Sequence, residues 1–489
     1  MSSRLRDVVR MESILLLVLA ISLVVPLILS VVYNEESSTI GFAVTCSASA
    51  ILGYIGKTFV KPSSQKLRFR DGFLVVSLAW FMASLVGSAP FVISGAIPSF
   101  ADAFFETASG FTTTGASILT EIEHLPKSIL FWRSFTHWLG GMGIIVIVMA
   151  ILPMFGISGQ IAANAETPGP TKDKVTSKFS DTARGLYIIY AMFTLAQTIL
   201  LMLGGMSLYD ALVHSFATMG TGGFSTYNTS IAYFSSPYLQ TVIIVFMLIA
   251  GVNFNLYFLA RKRGILSIFK DEEARFYLKA VGIASLLIFF CNSFENGFQH
   301  VGRTLLNGVF QVVSVVTTTG FITDNYDLWP VFSKMVLLCL FFVGGCSSST
   351  GGGIKCVRVL VVLKLIRRSL SLKIHPNRIT HITLNDEEIS TEVLNKIASF
   401  ISLYIAVIFG GSFLISFNNF DFMTTFSAVA TCVGNIGPGF NDVGPVYNFS
   451  IFTDFSKYVL SFLMIAGRLE LFTIFTLFSP NYWMPNRTR

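Results

Sequence analysis

Apolar residues run through this chain in blocks of about twenty, separated by short polar stretches rich in glycine, serine and charge. Blocks of that length with few internal charges predict helices that cross a bilayer. Ten are predicted, at 13–33, 39–56, 73–95, 131–153, 186–206, 238–260, 276–293, a broken 333–364, 396–417 and 455–478. The first follows a basic start, yet it is long for a secretory leader and shows no small-residue cleavage site, so it reads as a retained helix. Shorter apolar stretches lie between longer ones, each ending in a glycine phrase. They predict re-entrant helices, because irregular backbone at membrane depth is tolerated only where it lines a watery cavity or is buried in protein. The predicted fold is an all-α polytopic membrane protein. A two-helix preamble (1–70) precedes four helix–re-entrant loop–helix units at 71–160, 180–265, 274–370 and 390–489.

The glycine phrase occurs four times. It reads Thr113-Thr114-Gly115, Thr221-Gly222-Gly223-Phe224, Thr318-Thr319-Gly320-Phe321 and Asn435-Ile436-Gly437-Pro438-Gly439. Four such loops around one axis are what a potassium filter requires, since backbone carbonyls must replace the ion's water shell. Asp102, Asp210 and Asn307 stand at one common offset before Gly115, Gly223 and Gly320, and are expected to cap the re-entrant helices. The helix C-termini, with their partial negative charge, would then face a cation. In the fourth unit Asp421 stands at that same offset before Gly434 but farther from Gly437, which leaves two registers open. Gly437 is preferred, because its phrase imitates the Thr-Val-Gly-Tyr-Gly of potassium channels.

Composition supports the membrane reading. Of 489 residues, 53% are hydrophobic and 12% charged, against roughly 25% charged in soluble domains. The net charge of +7 is topological. Basic residues such as Arg4, Arg6, Lys57, Lys61, Lys66, Arg68, Lys172, Lys174, Lys178, Arg261, Lys364, Arg367, Arg378 and Arg487 all fall on one side of a ten-span arrangement, which makes that side and both termini cytoplasmic. The glycine phrases then face outside. No basic run is interleaved with aromatics, which argues against nucleic-acid binding. The six cysteines lie mostly in apolar runs and include no CxxC pair, so they read as core residues, not metal ligands or disulfides. No nucleophile–base pair stands out, so an enzyme is not expected.

Two further features carry chemistry. Residues 344–353 (Gly344, Gly345, Cys346, Ser347, Ser348, Ser349, Thr350, Gly351, Gly352, Gly353) are a poor helix-forming string inside the eighth span. They read as a gate loop beneath the third filter segment, against the alternative of a static kink with close helix packing. Arg468 is placed near the middle of the last span. An Arg at that depth costs at least about 2.5–3.5 kcal/mol, so it should have partners and a role. The expectation is a pore-facing barrier that bonds the gate loop. Arg133 and His137 are expected to snorkel at the outer interface, Arg358 to be an ordinary interfacial residue, Asn253 and Asn255 to bond between helices, and Asp271, Glu272 and Glu273 to form a solvated turn.

On these strings, together with Gly467-Arg468-Leu469-Glu470, the chain resembles the Trk/Ktr/HKT superfamily of cation transporters along essentially its whole length. It is most similar there to the Trk-type potassium-uptake membrane subunit of bacteria. The resemblance implies a pseudo-fourfold pore in one subunit, a homodimer in lipid, and a bacterial inner-membrane location. It also implies a cytosolic RCK/KTN-type (TrkA-like) regulatory ring that binds NAD or ATP. Glycine at the key position of all four loops goes with potassium selectivity in the family. The chain itself carries no nucleotide motif and no expected cofactor; potassium is the transported ion. The alternative is a potassium symporter coupled to sodium or protons, for which Glu106 and Glu470 are the candidate intramembrane carboxylates.

Overall fold

The computed structural model describes residues 3–61, 69–143, 179–295, 297–377 and 380–483. The residues expected at 144–153 in the fourth span, and Lys66, Arg68, Lys172, Lys174, Lys178, Arg378, Arg487 and Arg489, lie outside the described residues.

The chain opens with α1 (Ser3–Val32), α2 (Glu36–Phe59) and α3 (Phe69–Ile93). Small residues let α1 and α2 approach closely: a Cβ on Gly56 would stand 2.0 Å from Ser13 Oγ. Next come α4 (Phe100–Phe111), α5 (Lys127–Gly141), α6 (Phe179–Leu203), α7 (Leu208–Met219), α8 (Pro237–Gly251) and α9 (Phe254–Arg263). Then follow α10 (Glu272–Glu295), α11 (Val301–Val316), α12 (Val331–Leu340), α13 (Cys356–Ile374), α14 (Thr391–Ile415), α15 (Phe422–Gly434) and α16 (Asp454–Arg468). The short α17 (Phe472–Phe475) and α18 (Pro480–Trp483) end the described chain. A two-residue antiparallel hairpin pairs Thr383–Leu384 with Glu387–Glu388 between α13 and α14.

Among the described residues, six helices are long and apolar enough to cross a membrane, or up to eight if each of two bent pairs is one span. They leave large apolar side chains exposed, including Ile21, Phe59, Leu203, Phe294 and Phe409. Such a surface is at home in lipid and is costly in water. The polytopic all-α membrane fold is therefore as expected.

Two predicted spans are not straight. The sixth breaks after α8 and turns by 90° into α9. The last breaks after α16 and turns by 108°. Arg468 is thus the final residue of its helix and not the middle of a continuous one. Hydropathy missed both breaks because the residues at and after them are themselves mostly apolar.

The helices before the glycine phrases are short. At 12 residues, α4 and α7 reach about 18 Å, too little to cross a hydrocarbon core of about 30 Å. Their caps correct the expectation for Asp102 and Asp210. Ser99 and Ser207 are the N-caps and accept from the backbone N–H of those aspartates. Asn307 lies inside α11, donating to Asp324 at 3.2 Å. The reason is helix length. Three of the four helices begin at the same distance before their glycine, Phe100 before Gly115, Leu208 before Gly223 and Phe422 before Gly437. The fourth, α11, begins about a turn earlier, at Val301 before Gly320. Asp421 is a true cap for α15, accepting from Met423 and Thr424 N–H.

Candidate ion pathway

All four short helices end in the same way. Just past the last turn of each, one residue takes a left-handed conformation: Thr113 at φ 56°, Thr221 at 55°, Thr318 at 57° and Asn435 at 53°. The next amide reaches back five residues, from Thr114 to Ser109 O, Gly222 to Ala217 O, Thr319 to Ser314 O and Ile436 to Thr431 O, at 2.8–2.9 Å. Together with the shorter bond from the left-handed residue itself, this is a Schellman termination. Glycine or asparagine usually fills the left-handed place. Threonine there costs about 1–3 kcal/mol, a strain that packing must hold.

Two residues on, Gly115, Gly223, Gly320 and Gly437 have φ of 81°, 79°, 79° and 101°. The repeated backbone aligns the fourth phrase on Gly437 and not Gly434, which is the last residue of α15. The glycines stand against carbonyls of the neighbouring loop. A Cβ on Gly115 would lie 2.0 Å from Gly222 O; on Gly223, 2.0 Å from Thr319 O; on Gly320, 2.3 Å from Ile436 O; on Gly437, 2.7 Å from Thr114 O. Backbone atoms cannot retreat as a flexible side chain can, so no side chain fits at these four places. The contacts run from loop one to two, three, four and back to one. The four equivalent carbonyls, of Thr114, Gly222, Thr319 and Ile436, belong to a closed ring. Four helix C-termini lie immediately behind it, where their dipoles favour a cation.

A buried scaffold supports the first two loops. Arg133 pairs with Glu106 through Nε at 2.5 Å, both side chains almost fully buried. Glu106 also accepts from Ser117 Oγ and Ile118 N–H, and Arg133 donates to Ser225 O at 3.1 Å. His137 joins Gly110 O through Nδ1 at 2.7 Å, and its Nε2 accepts from Phe224 N–H at 3.3 Å. Arg133 and His137 therefore do not snorkel. Their outer position in the sequence is overruled by partners on α4 and the second loop. His214 is held by Asp210 O and Ser225 Oγ.

Residues 344–353 fold into a largely buried loop below the ring. Its neck is crossed by Gly344 N–H to Ile354 O at 2.7 Å and Cys356 N–H to Gly345 O at 3.0 Å. The loop and the break after α8 satisfy each other's backbone. Cys346 N–H bonds Gly251 O, Thr350 N–H bonds Ala250 O, and Phe254 N–H bonds Ser348 O. Asn253 serves α9 as its own N-cap, accepting from Asn255 N–H. Broken helices at membrane depth need such partners, since no lipid can supply them. The loop touches the ring's underside: Gly352 N–H bonds Thr318 Oγ1 at 2.7 Å, and a Cβ on Gly352 would lie 2.7 Å from Gly434 O.

Arg468 reaches this loop. It donates to Thr350 O at 2.7 Å and to Gly140 O and Gly141 O, at the end of α5, at 2.8 and 2.9 Å. Lys355 bonds Gly351 O. Arg358 is not an ordinary interfacial residue: it is buried, pairs with Glu470 and lies 3.9 Å from the centroid of Phe400. Glu470 and Leu471 both have positive φ at the sharp bend after α16, and this pair holds the first of them in place. Glu273 is also misread by its acidic neighbourhood. It is buried and accepts from Ser347 N–H, Ser347 Oγ and Val357 N–H. Its sequence signal was weak, because those partners lie far along the chain.

Among the described residues, no cluster of three or more His, Cys, Asp or Glu is placed to hold a metal ion.

The family described as TrkH, cation transport protein, matches residues 35–484. The chain is 36% identical over 484 residues to the Trk system potassium uptake protein TrkH of Escherichia coli K12, covering 98% of this chain and 99% of that one. It is 32% identical over 487 residues to the Trk system potassium uptake protein TrkG of the same strain, covering 99% of each. The crystal structure of the potassium transporter TrkH from Vibrio parahaemolyticus superposes with a TM-score of 0.88 at 33% identity, covering 98% of this chain and 99% of that one.

Proposed function

This chain belongs to the TrkH cation transport family, and on that premise we propose that it takes up potassium through a channel-like pore under the control of a cytosolic partner. It is a transporter and not an enzyme. The observation that carries the reading is the closed succession of four glycines, each against the carbonyl of the next loop. Thr113, Thr114, Gly115, Gly222, Gly223, Thr319, Gly320, Asn435, Ile436 and Gly437 form the filter. A dehydrating ion meets Thr114 O, Gly222 O, Thr319 O and Ile436 O in place of water. Only part of each loop follows the longer potassium-channel phrase, so the filter has fewer ion sites and passes sodium more readily than a tetrameric potassium channel does.

Residues 344–353 are the gate and Arg468 its electrostatic barrier. The guanidinium repels a cation below the filter and ties the loop through Thr350 O. This arrangement is the closed state, opened when the loop withdraws. The chain spans the bacterial inner membrane ten times, with both termini cytoplasmic, in four pore units (71–160, 180–265, 274–370, 390–489) after the 1–70 preamble. It works as a homodimer in lipid with an RCK/KTN-type nucleotide-binding subunit. Potassium is cargo, and the chain holds no cofactor of its own. Glu106 and Glu470 are both paired with arginines, which speaks against a free proton relay and for passive flux.

The test is rubidium uptake into potassium-loaded proteoliposomes containing this chain. Uptake that follows the potassium gradient and resists outside sodium supports the reading. Uptake that needs a sodium or proton gradient overturns it in favour of symport.

A further inference from the structure

We propose that Glu273 is a positioning residue that ties the neck of the gate loop to the 383–388 hairpin, so that a force on the hairpin reaches the gate. The inference rests on residues 344–353 being the gate. Its first half is geometric. One carboxylate oxygen, Glu273 Oε1, accepts Ser347 N–H at 2.6 Å, Ser347 Oγ at 3.1 Å and Val357 N–H at 3.0 Å. Ser347 is on the entering limb of the loop, and Val357 is the second residue of α13 on the leaving limb. A single anion therefore staples both limbs and caps α13 from another helix.

The second half is the way Glu273 is held. It lies in the first turn of α10, and the residues before it are bound to the hairpin. Asn385, at the hairpin tip, accepts Glu272 N–H through Oδ1 at 2.8 Å and donates from Nδ2 to Asp271 Oδ2 at 2.8 Å. Lys364 pairs with Glu272 and also donates to Thr383 O at 2.7 Å. Beneath these bonds, Ile382 and Leu384 share a buried cluster with Val357 and Val361 of α13. Polar and apolar contacts thus join the hairpin, the start of α10 and the loop neck as one body. The hairpin's outer side, with Asp386, Glu387 and Glu388, is exposed.

The experiment measures hydrogen–deuterium exchange of peptides covering 345–357 in the full chain in nanodiscs, beside rubidium flux in proteoliposomes. Glu273→Ala is expected to speed exchange of the neck by about tenfold and to raise flux. Glu273→Gln keeps an acceptor oxygen and should hold exchange near wild type. Asn385→Ala, outside the loop, should also speed neck exchange, and its effect should not add to that of Glu273→Ala. Neck exchange unchanged in Asn385→Ala, or effects of the two variants that multiply, would overturn the proposal. If Glu273→Ala does not fold, Asn385→Ala alone decides by the same criterion. A wild type without selective rubidium flux defeats the proposed function. Selective flux with unchanged neck exchange in Asn385→Ala defeats only the role of Glu273.

Discussion

Gly437 closes the ring on Thr114: a Cβ on the glycine would stand 2.7 Å from the threonine's carbonyl oxygen, so the last loop of the chain abuts the first. Asn435 reinforces the closure by donating to Thr114 Oγ1 at 3.0 Å. The ring is continuous although no covalent link joins its ends nearby.

Ring glycines are held by space as well as by dihedral angle, and the two can be separated. Gly205 has φ 94° with nothing within 4 Å of its missing Cβ, whereas Gly320 faces Ile436 O. Gly205→Ala should cost about 1 kcal/mol of stability and leave the rubidium-to-sodium flux ratio unchanged. Gly320→Ala should lower that ratio by about tenfold or more, equivalent to roughly 1.4 kcal/mol of lost discrimination. Paired isotope fluxes and thermal unfolding check both.

Arg468→Ala removes the bonds to Thr350, Gly140 and Gly141 and a positive charge below the ring. Basal flux should rise several-fold, about 1 kcal/mol off the barrier. Arg468→Lys keeps the charge but loses the fork and should fall between. Proteoliposome flux without any regulatory subunit measures this, and an alanine variant with wild-type flux would sink the barrier role.

Breaking the Glu106–Arg133 pair leaves a buried charge without its partner. Glu106→Leu should destabilise the protein by about 3–5 kcal/mol. The double variant Glu106→Leu with Arg133→Met should recover much of the stability, since apolar replacement of a buried pair is often tolerated. It should not recover selectivity, because Ser225 O and Ser117 lose their donors. Melting curves and flux ratios report the two effects separately.

Gly352→Ala places a Cβ 2.7 Å from Gly434 O and from Asn435 Cβ. The loop must shift away from the ring. The predicted outcome is a flux changed by about threefold or more with the rubidium-to-sodium ratio intact. Loss of selectivity without a change in rate would mean that the loop belongs to the filter.

The four glycine phrases were legible because positive φ and the facing carbonyl of the next loop restrict residue type at the same place in each loop. The fourth register was ambiguous on paper because Asp421 looks like a counterpart of Asp102 and Asp210. It is instead the counterpart of the caps Ser99 and Ser207, behind which those two aspartates stand in the first helical turn. The left-handed Asn435 gives Gly437, and not Gly434, the backbone position of Gly115, Gly223 and Gly320. The bends after Gly251 and Arg468 were not legible, since averaged hydropathy is blind to which backbone groups are bonded. Arg133, Arg358 and Glu273 were misplaced for one shared reason. Each is buried by a partner remote in sequence, at Glu106, Glu470 and Ser347, and charge alone reads as exposure until the partner is known.

A ring assembled from one chain has a consequence for descent. In a pore made of identical subunits, every coding change at the filter is imposed on all quarters at once. Here a change at Gly115 leaves Gly223, Gly320 and Gly437 as they were. With the ring as the filter proposed above, ion preference can therefore be retuned by quarters, and each quarter can keep its own supports, as Arg133 and His137 do for two of them.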